Sequence, residues 1–404
     1  MLDSIYIGLS GLSSFSRGLS TISGNVANLN TPGFKATDLL FEDLVYQQQD
    51  FGRRADQSPI TLGSGVSTPT SITLFRQGDV QQTGNDLDAA INGLGFFVVR
   101  KDDQVYFTRR GQFQIDTDGY LVSQAGGQRV ASLSGSTLAD INVGAFKVNP
   151  GRATQQVNFT DNLSVNDGDN SQVANINVFD AAGGSHALKI TFTNNSTVTP
   201  RSWLFKVEDG TTGALVTNSG EVRFQGDGSP AAGFNSFTFN YAPTNAPSQT
   251  ITFKFGEPGS FAGATNFSAG TDSTLKAATQ DGFSVGALTR TTISSAGALV
   301  FTYSNGKTVT GPQLALAQFS DLQSLKQIGG GLFQNRADLK PVYGLANTGA
   351  FGSIAGGSIE AANVDLAQEF SDLIVVQRGY QASSQVISTA NDMMQVLFDL
   401  KSRK

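Results

Sequence analysis

The single histidine of the chain, His186, is the first residue to consider for catalysis, because imidazole can exchange protons near neutral pH. It follows Gly183-Gly184-Ser185, and these glycines predict a turn before a strand. Nucleophilic catalysis would also require a nucleophile and an orienting carboxylate, and no G-x-S-x-G stretch accompanies His186. We therefore expect an exposed turn histidine rather than a catalytic base.

Four aspartates near predicted strand ends could supply the paired carboxylates of a glycosidase. They are Asp86, Asp88, Asp116 and Asp118. Glycine or asparagine lies close to these positions in the sequence, and aspartate beside such residues commonly forms turns. The sequence therefore favours structural turns over a paired-carboxylate site.

Two further patterns could suggest a metal site or a phosphate site. The acidic stretch with Asp161, Asp167 and Asp169 lacks the D-x-[DN]-x-[DN]-G spacing and the closing glutamate of a calcium-binding EF-hand. The glycines at 329–331 lack the lysine and the flanking helix of a phosphate-binding loop. We predict a protein that is not an enzyme and that has no catalytic, metal or cofactor site.

The composition indicates a large and weakly charged protein. The 404 residues are enough for two or three domains, 15% of them are charged, and the formal net charge is -6. Clustered Lys and Arg for phosphate binding are missing from the sequence, which argues against nucleic acid as a partner. No cysteine is present, so disulfides and thiolate metal sites are impossible. The 46 glycines are typical of turn-rich antiparallel β-proteins that act outside the cell.

The sequence shows neither a membrane span nor a cleavable secretory signal. No apolar run approaches the roughly 18 residues that a spanning helix needs. The first cation is Arg17, and serines interrupt the apolar residues before it. If the protein is exported, we expect another route.

Both ends of the chain carry an apolar seam at heptad spacing, which predicts helices that lie against other helices. The predicted N-terminal helix, residues 1–30, has seam residues Ile5, Leu9, Leu12, Phe15, Leu19, Ile22, Val26 and Leu29. The predicted C-terminal helix, residues 365–404, has seam residues Leu366, Phe370, Leu373, Tyr380, Ile387, Met394 and Phe398. Since the residues between them have a strand pattern, we expect the first helix to pair with the last.

Low charge favours assembly of these helices over a solvated surface. Asp3 and Arg17 are the ionised side chains of residues 1–30, and a solvated helix usually carries more. The alternative is an amphipathic helix packed on its own globular domain. Glycines in the first helix favour disorder before assembly, at Gly8, Gly11, Gly18 and Gly24.

The predicted fold is mainly β, with coiled-coil-like paired helices at the termini and nested β-domains between them. Pro32 and Gly33 end the first helix. A connector at 31–70 follows, extended except for a short helical stretch near Leu39–Gln47. Alternating strands then predict an inner β-domain at 71–149 and 286–364, and an outer β-sandwich or barrel inserted at 150–285.

Two long motifs at opposite ends of the chain resemble the signatures of bacterial flagellar rod and hook axial proteins. The first lies in Ala27–Lys35 and contains Asn28, Asn30, Thr31, Pro32, Gly33, Phe34 and Lys35. The second lies in 363–382 and contains Asn363, Asp365, Gln377, Arg378 and Tyr380. Ala361 and Ala362 depart from the family, which more often has Glu and Ser there, and this loosens the predicted start of the last helix.

Internal segments resemble the same family. Leu87–Phe97 and Phe107–Phe113 look like its shared β-domain. Gln280–Phe283, Tyr303–Gly306 and Leu314–Phe319 resemble its hook members, and the large insertion at 150–285 also points to the hook. The sequence of that insertion itself shows no close resemblance.

The resemblance implies a structural subunit that polymerises helically into a curved, flexible tube. Such a tube acts as a universal joint between rod and filament and transmits motor torque. The implied partners are other copies of the chain, rod proteins, hook-cap and hook-filament junction proteins, and the flagellar type III export apparatus. Export without a cleaved signal would place the protein outside the cell, and the connector would bridge adjacent subunits.

Other interpretations remain open at this point. A distal rod protein or a hook-associated junction protein belongs to the same structural class. A secreted β-rich adhesin or carbohydrate-binding protein belongs to another class, and Trp203 and Tyr241 could supply its stacking platform. Only the structural class explains the paired terminal seams.

Overall fold

The computed structural model describes residues 2–44, 47–49, 60–62, 65–68, 70–102, 104–168, 170–336 and 339–402. The chain forms two compact units. The helix-bearing unit comprises Met1–Gly144, Thr291–Val300 and Thr310–Lys404. The inserted unit comprises Ala145–Arg290 and Phe301–Val309. The predicted bounds, with 71–149 and 286–364 in the inner β-domain and 150–285 in the outer one, stay a prediction, as does the division into assembly domain and connector.

Two long helices occupy the ends of the helix-bearing unit, α1 at Leu2–Ala27 and α2 at Leu366–Ser402. The backbone turns directly after α1, and Gly33 takes a φ of 69°, which glycine adopts without steric cost. Asp365 caps α2, since its Oδ1 accepts the backbone N–H groups of Ala367 at 2.9 Å and Gln368 at 3.3 Å. With strands between these helices, the predicted fold class is confirmed.

The connector is built from short paired strands. Thr37–Leu39 pairs with Ser71–Thr73, Glu42–Asp43 with Val66–Ser67, and Gln47–Gln49 with Ile60–Leu62, all antiparallel. The predicted helical stretch at Leu39–Gln47 is therefore wrong where the structure describes it; residues 45 and 46 lie outside the described residues. A short apolar run fits either element, and partner strands further along the chain decide between them.

The body of the helix-bearing unit is a twisted antiparallel sheet. Its main strand order is Phe113–Ile115, Leu121–Ser123, Arg129–Ser134, Phe96–Lys101, Gln104–Thr108, Leu332–Gln334 and Lys326–Gly329. Off this path are Thr137–Asp140, Leu316–Gln318 and Val342–Gly344. Two further pairs are Ala89–Asn92 with Ser353–Gly356 and Val80–Gln82 with Ser358–Glu360. Phenylalanines form its core, and the Phe107 and Phe319 rings lie 4.7 Å apart.

The inserted unit is a sandwich, one of the two architectures predicted for it. One sheet has the order Ser236–Tyr241, Gln249–Lys254, Gln156–Asn162 and Ala264–Thr265, and Lys276–Gln280 also pairs with Gln156–Asn162. The other sheet has the order Ser171–Phe179, Ser185–Asn194, Ser202–Asp209 and Leu215–Arg223. Both sheets contribute to one core, in which the Phe205 and Phe255 rings lie 5.6 Å apart.

A smaller sheet has the order Val148–Asn149, Gly286–Ile293, Ala298–Tyr303 and Thr308–Gln313. A single 3-10 turn at Gly144–Phe146 precedes it.

Candidate assembly site

Glycines bring α1 and α2 into close antiparallel contact. A Cβ on Gly11 would lie 2.6 Å from the Oγ of Ser383, and a Cβ on Gly379 would lie 2.5 Å from the Cζ of Phe15. Such distances leave no room for a side chain, so each glycine receives a residue of the facing helix. Gly8 against Ile387 and Gly18 against Val376 repeat the arrangement. The glycines thus fix the register of the two helices.

Some of the predicted seam residues are buried or half-buried, and the others are exposed. Ile22 is buried, and the half-buried members are Ile5, Leu12, Phe15, Leu19, Val26, Leu29, Leu373, Ile387 and Met394. The exposed members are Leu9, Leu366, Phe370, Tyr380 and Phe398. Leu29 lies in the turn after α1, outside the helix. The role of these residues in packing between subunits stays a prediction.

The heptad pattern did not identify the small and polar residues in the contact between α1 and α2. Val376 and Ala390 are buried on α2, and Ser383 faces a glycine of α1. The available signal was the position of Gly8, Gly11 and Gly18 on one helical face, three and seven residues apart.

A polar stripe of α1 binds the connector of the same chain. The Oγ of Ser10 accepts the backbone N–H of Val66 at 3.2 Å, and the Oγ of Ser14 donates to the Val66 carbonyl at 3.4 Å. One turn further, the Arg17 guanidinium donates to the carbonyl of Thr68 at 3.3 Å. Positions 10, 14 and 17 lie on one face of the helix, so this polar face forms hydrogen bonds with the backbone of Val66 and Thr68.

The turn after α1 is held against the β-sheet body by backbone contacts. The N–H of Gly33 donates to the carbonyl of Glu360 at 2.7 Å. A Cβ on Gly33 would lie 2.7 Å from the backbone nitrogen of Arg110, so only glycine fits this approach. Inside the turn, the Thr31 hydroxyl donates to the Asn28 side-chain oxygen at 3.2 Å.

Lys35, at the end of the first motif, enters a buried cluster of charges. Its Nζ lies 2.5 Å from Oε1 of Glu360, and a guanidinium nitrogen of Arg109 lies 3.2 Å from Oε2 of the same carboxylate. The Gly78 backbone N–H also donates to Oε1, at 3.0 Å. The three charged side chains are at most 5% exposed. One buried carboxylate therefore pairs with two buried cations.

This imbalance of charge has an electrostatic consequence. Burial lowers the pKa of Lys35 and of Arg109 from their ordinary values, and the Glu360 carboxylate offsets this in part. The Nε of Arg109 is also buried without a hydrogen-bond partner among the described residues. Among the residues that the structure describes, Glu360 is thus the carboxylate that pairs with both cations.

Two asparagines connect the helix ends to the strands beside this cluster. The side-chain amide of Asn363 donates to the Arg76 carbonyl at 3.0 Å, and its oxygen accepts the N–H of Ala36 at 2.7 Å. On α1, the amide of Asn25 donates to the Thr37 carbonyl at 2.8 Å. The same amide donates to the carboxylate of Glu369 on α2 at 2.9 Å. Both helices are therefore positioned by hydrogen bonds to the start of the connector.

The remaining residues of the two motifs are half-buried or exposed. Pro32 and Phe34 are half-buried in the turn, and Asn30 is exposed. Gln377 and Arg378 are exposed on α2. Their position on the helix surface leaves them available for contacts outside the unit.

The aspartates that were considered for catalysis or metal binding form structural contacts instead. Asp88 is buried and accepts the Thr83 hydroxyl at 2.7 Å, and Asp116 accepts the Tyr120 backbone N–H at 2.7 Å within a turn. Asp161 pairs with Lys276 at 2.9 Å on the surface, and Asp169 lies outside the described residues. These carboxylates act as turn and surface partners.

His186 differs from the exposed turn residue that the sequence predicted. It is the second residue of the strand Ser185–Asn194, its side chain is 21% exposed, and its Nε2 lies 2.9 Å from Oδ2 of Asp180. The sequence did not reveal this partner, because the intervening turn, not a motif, brings the two side chains together. This hydrogen bond, with backbone N–H groups of Gly184 and Ala182, lowers the pKa of Asp180 despite its burial.

We expect acid to weaken the inserted unit through Asp180. A carboxyl whose pKa is lower in the folded state stabilises that state above the unfolded pKa of about 4, and this contribution is lost as pH falls further. Asp180→Asn should therefore lower stability at pH 7 and reduce its fall below pH 4. Thermal unfolding followed by fluorescence of Trp203, the single and buried tryptophan, measures this unit. Equal acid sensitivity in Asp180→Asn and in the control Asp272→Asn, at an exposed position, would contradict the assignment.

Comparisons with known proteins find similarity along most of the chain. A model described as "Flagella basal body rod protein" matches residues 5–35, and "Flagellar hook protein FlgE/F/G D1 domain" matches 90–178. "Flagellar basal body protein FlaE D2 domain" matches 150–283, and "Flagellar basal body rod FlgEFG protein C-terminal" matches 355–400. These matches include both helices and the inserted unit.

Curated relatives are similar over nearly their full length. The flagellar hook protein FlgE of Borreliella burgdorferi is 29% identical, with 100% of each chain covered. That of Escherichia coli is 26% identical over 97% of this chain and 98% of the relative. A crystal structure of the Helicobacter pylori flagellar hook protein FlgE2 has a TM-score of 0.45 and 14% identity, covering 68% of this chain and 98% of that one.

Proposed function

Because the chain belongs to the flagellar hook and rod protein family, we propose that it is a structural subunit of the bacterial flagellar hook. The observation that carries this function is the match of the inserted unit to a D2 domain between family matches at both ends. Full-length similarity to hook proteins agrees with it. The subunit polymerises helically into a curved, flexible tube that transmits torque as a universal joint.

The helix surface supports polymerisation. Beyond the face that contacts α1, α2 exposes two rows of apolar side chains at helical spacing. One row is Leu366, Phe370 and Ile374, and the other is Val386, Met393 and Leu397. Apolar rows on both flanks of a helix are typical of a helix that neighbours cover on both sides.

The other candidate functions are less well supported. The distal rod protein lacks the D2-like insertion that is matched here at 150–283. For an adhesin, Trp203 and Tyr241 would have to form an exposed platform, but they are 0% and 2% exposed in the sandwich core. We propose a structural role rather than a catalytic one.

The same proposal includes location and partners. Export by the flagellar type III apparatus without a cleaved signal would place the chain outside the cell, in contact with rod, hook-cap and hook-filament junction proteins. No helix within the described ranges is long and apolar enough to cross a membrane. The buried cluster around Lys35 joins the helices to the β-sheet body, so it would transmit force between them.

Deletion of the gene tests this function. We expect electron micrographs of the deletion strain to show basal bodies without hooks, because no other subunit would fill that position. The full chain should restore hooks, and a chain lacking residues 1–30 should not, since it lacks α1. Normal hooks and filaments in the deletion strain would exclude the hook function.

A further inference from the structure

A cavity of about 450 Å³ lies where the end of α1, the start of α2 and the connector meet. Its apolar lining includes Ile22, Phe41, Leu74, Val375 and Val376. A volume of this size can hold one or two large side chains. No described residue of the same copy fills it, so an apolar segment from elsewhere would bury new surface there.

The rim of this cavity carries an excess of negative charge. The acidic residues that line it are Asp38, Asp365, Glu369 and Asp372. None forms an ion pair with another described residue within 4.0 Å; Arg76 also lines the cavity, but its guanidinium donates to the Asn363 carbonyl at 3.0 Å. Burial raises the pKa of Glu369, and the neighbouring carboxylates add to this effect. The rim therefore favours an occupant that brings cations.

These carboxylates do not form a metal site. In the described ranges, no group of three or more His, Asp or Glu side chains is arranged to hold a metal ion. The occupant should therefore be cationic side chains attached to something apolar, because the floor of the cavity is apolar.

The far end of α2 offers both properties. Met394 is half-buried, and the next turn exposes Val396, Leu397 and Phe398, which are 58%, 50% and 70% exposed. The sequence continues with the cations Lys401, Arg403 and Lys404 and one acid, Asp399. This segment has an uncovered apolar surface followed by net positive charge.

Resting on the proposed function, we propose that residues 396–398 of one copy dock into this cavity of the next copy. The apolar side chains meet the cavity floor, and the positive charge that follows them in the sequence complements the acidic rim. Leu397 follows Glu369 by 28 residues on the same helix, which is about 42 Å at 1.5 Å per residue. A second copy displaced by that distance along the helix places its segment at the cavity.

Such a contact joins two different surfaces of identical chains. Head-to-tail contacts of this kind do not close on themselves unless a rotation closes a ring, and they otherwise propagate as an open helix. Docking of the α2 end would therefore set the axial distance between successive contacting copies. Cations from the neighbour would also relieve the repulsion around Glu369.

Disulfide trapping tests the docking in assembled hooks, because the natural chain has no cysteine. The test pair is Leu397→Cys with Val375→Cys, both at exposed positions and the latter on the cavity wall. Within one copy these positions are 22 residues or about 33 Å apart, so an intrachain disulfide cannot form. Oxidation should shift the monomer to a ladder of linked subunits on a non-reducing gel.

The matched control pairs Leu397→Cys with Val198→Cys, an exposed valine of the inserted unit that does not line the cavity. The control pair and each single variant should stay monomeric on the gel. Hooks of normal appearance that give no ladder with the test pair, or an equal ladder with the control pair, would overturn the docking while leaving the hook function intact. Failure of the unmodified chain to form hooks would instead contradict the proposed function.

Discussion

Replacing Glu360 by glutamine should destabilise the helix-bearing unit by about 3–5 kcal/mol, the usual cost of removing one partner from a buried ion pair. The carboxylate bridges Lys35 and Arg109, and all three side chains are nearly inaccessible to water. Glutamine keeps the shape of the side chain but leaves two buried cations without an anion. The N–H of Gly78 would retain only a neutral acceptor.

Lys35→Met is the informative comparison, because it removes one of the two cations. Glu360 and Arg109 then remain as a balanced pair, and the methionine keeps most of the aliphatic stem of lysine. We expect a smaller loss of stability than in Glu360→Gln, although Lys35 is the residue that the sequence motif singles out. Denaturant unfolding with hydrogen exchange at the Ala89–Asn92 strand would report on this unit alone. A larger loss in Lys35→Met would refute the charge argument.

The first family motif includes only one of the three charged residues of this cluster, Lys35. Lys35 follows the turn residues of a recognisable family signature, whereas Arg109, directly after a strand, and Glu360, at the end of one, lie 74 and 325 residues away. Glu360 directly precedes the point at which Ala361 and Ala362 depart from the family pattern. No local pattern marks a charged residue as buried, because burial of a charge depends on partners that the fold brings together.

The ends of the chain were predictable for a different reason. Heptad spacing and low charge indicated two helices covered by other helices, and α1 and α2 contact each other in the structure. The spacing did not separate half-buried residues, such as Leu373, from exposed ones, such as Phe370. When a helix packs against several neighbours, apolar residues occupy more than one of its faces. The sequence then does not show which of these residues form the contact with one given neighbour.

Replacing Gly379 by alanine should weaken hook assembly, although alanine favours a helix by about 1 kcal/mol over glycine. A Cβ at this position would lie 2.5 to 2.9 Å from three ring carbons of Phe15. That ring also contacts Phe41, with centroids 5.7 Å apart, so it cannot move away without disturbing the connector. Overpacking of this kind typically costs about 1–3 kcal/mol, here in every subunit.

Gly24→Ala is the matched control, since no atom lies within 4 Å of a Cβ placed on Gly24. It gives the same gain in helix propensity without the collision. Isolated hooks of the Gly379→Ala variant should dissociate at a lower temperature than those of Gly24→Ala, and fewer hooks per cell should be seen by electron microscopy. Adding Phe15→Leu to Gly379→Ala should restore part of the loss, because the smaller side chain makes room for the new methyl group. Equal dissociation temperatures for the two alanine variants would show that the glycines do not set the distance between α1 and α2.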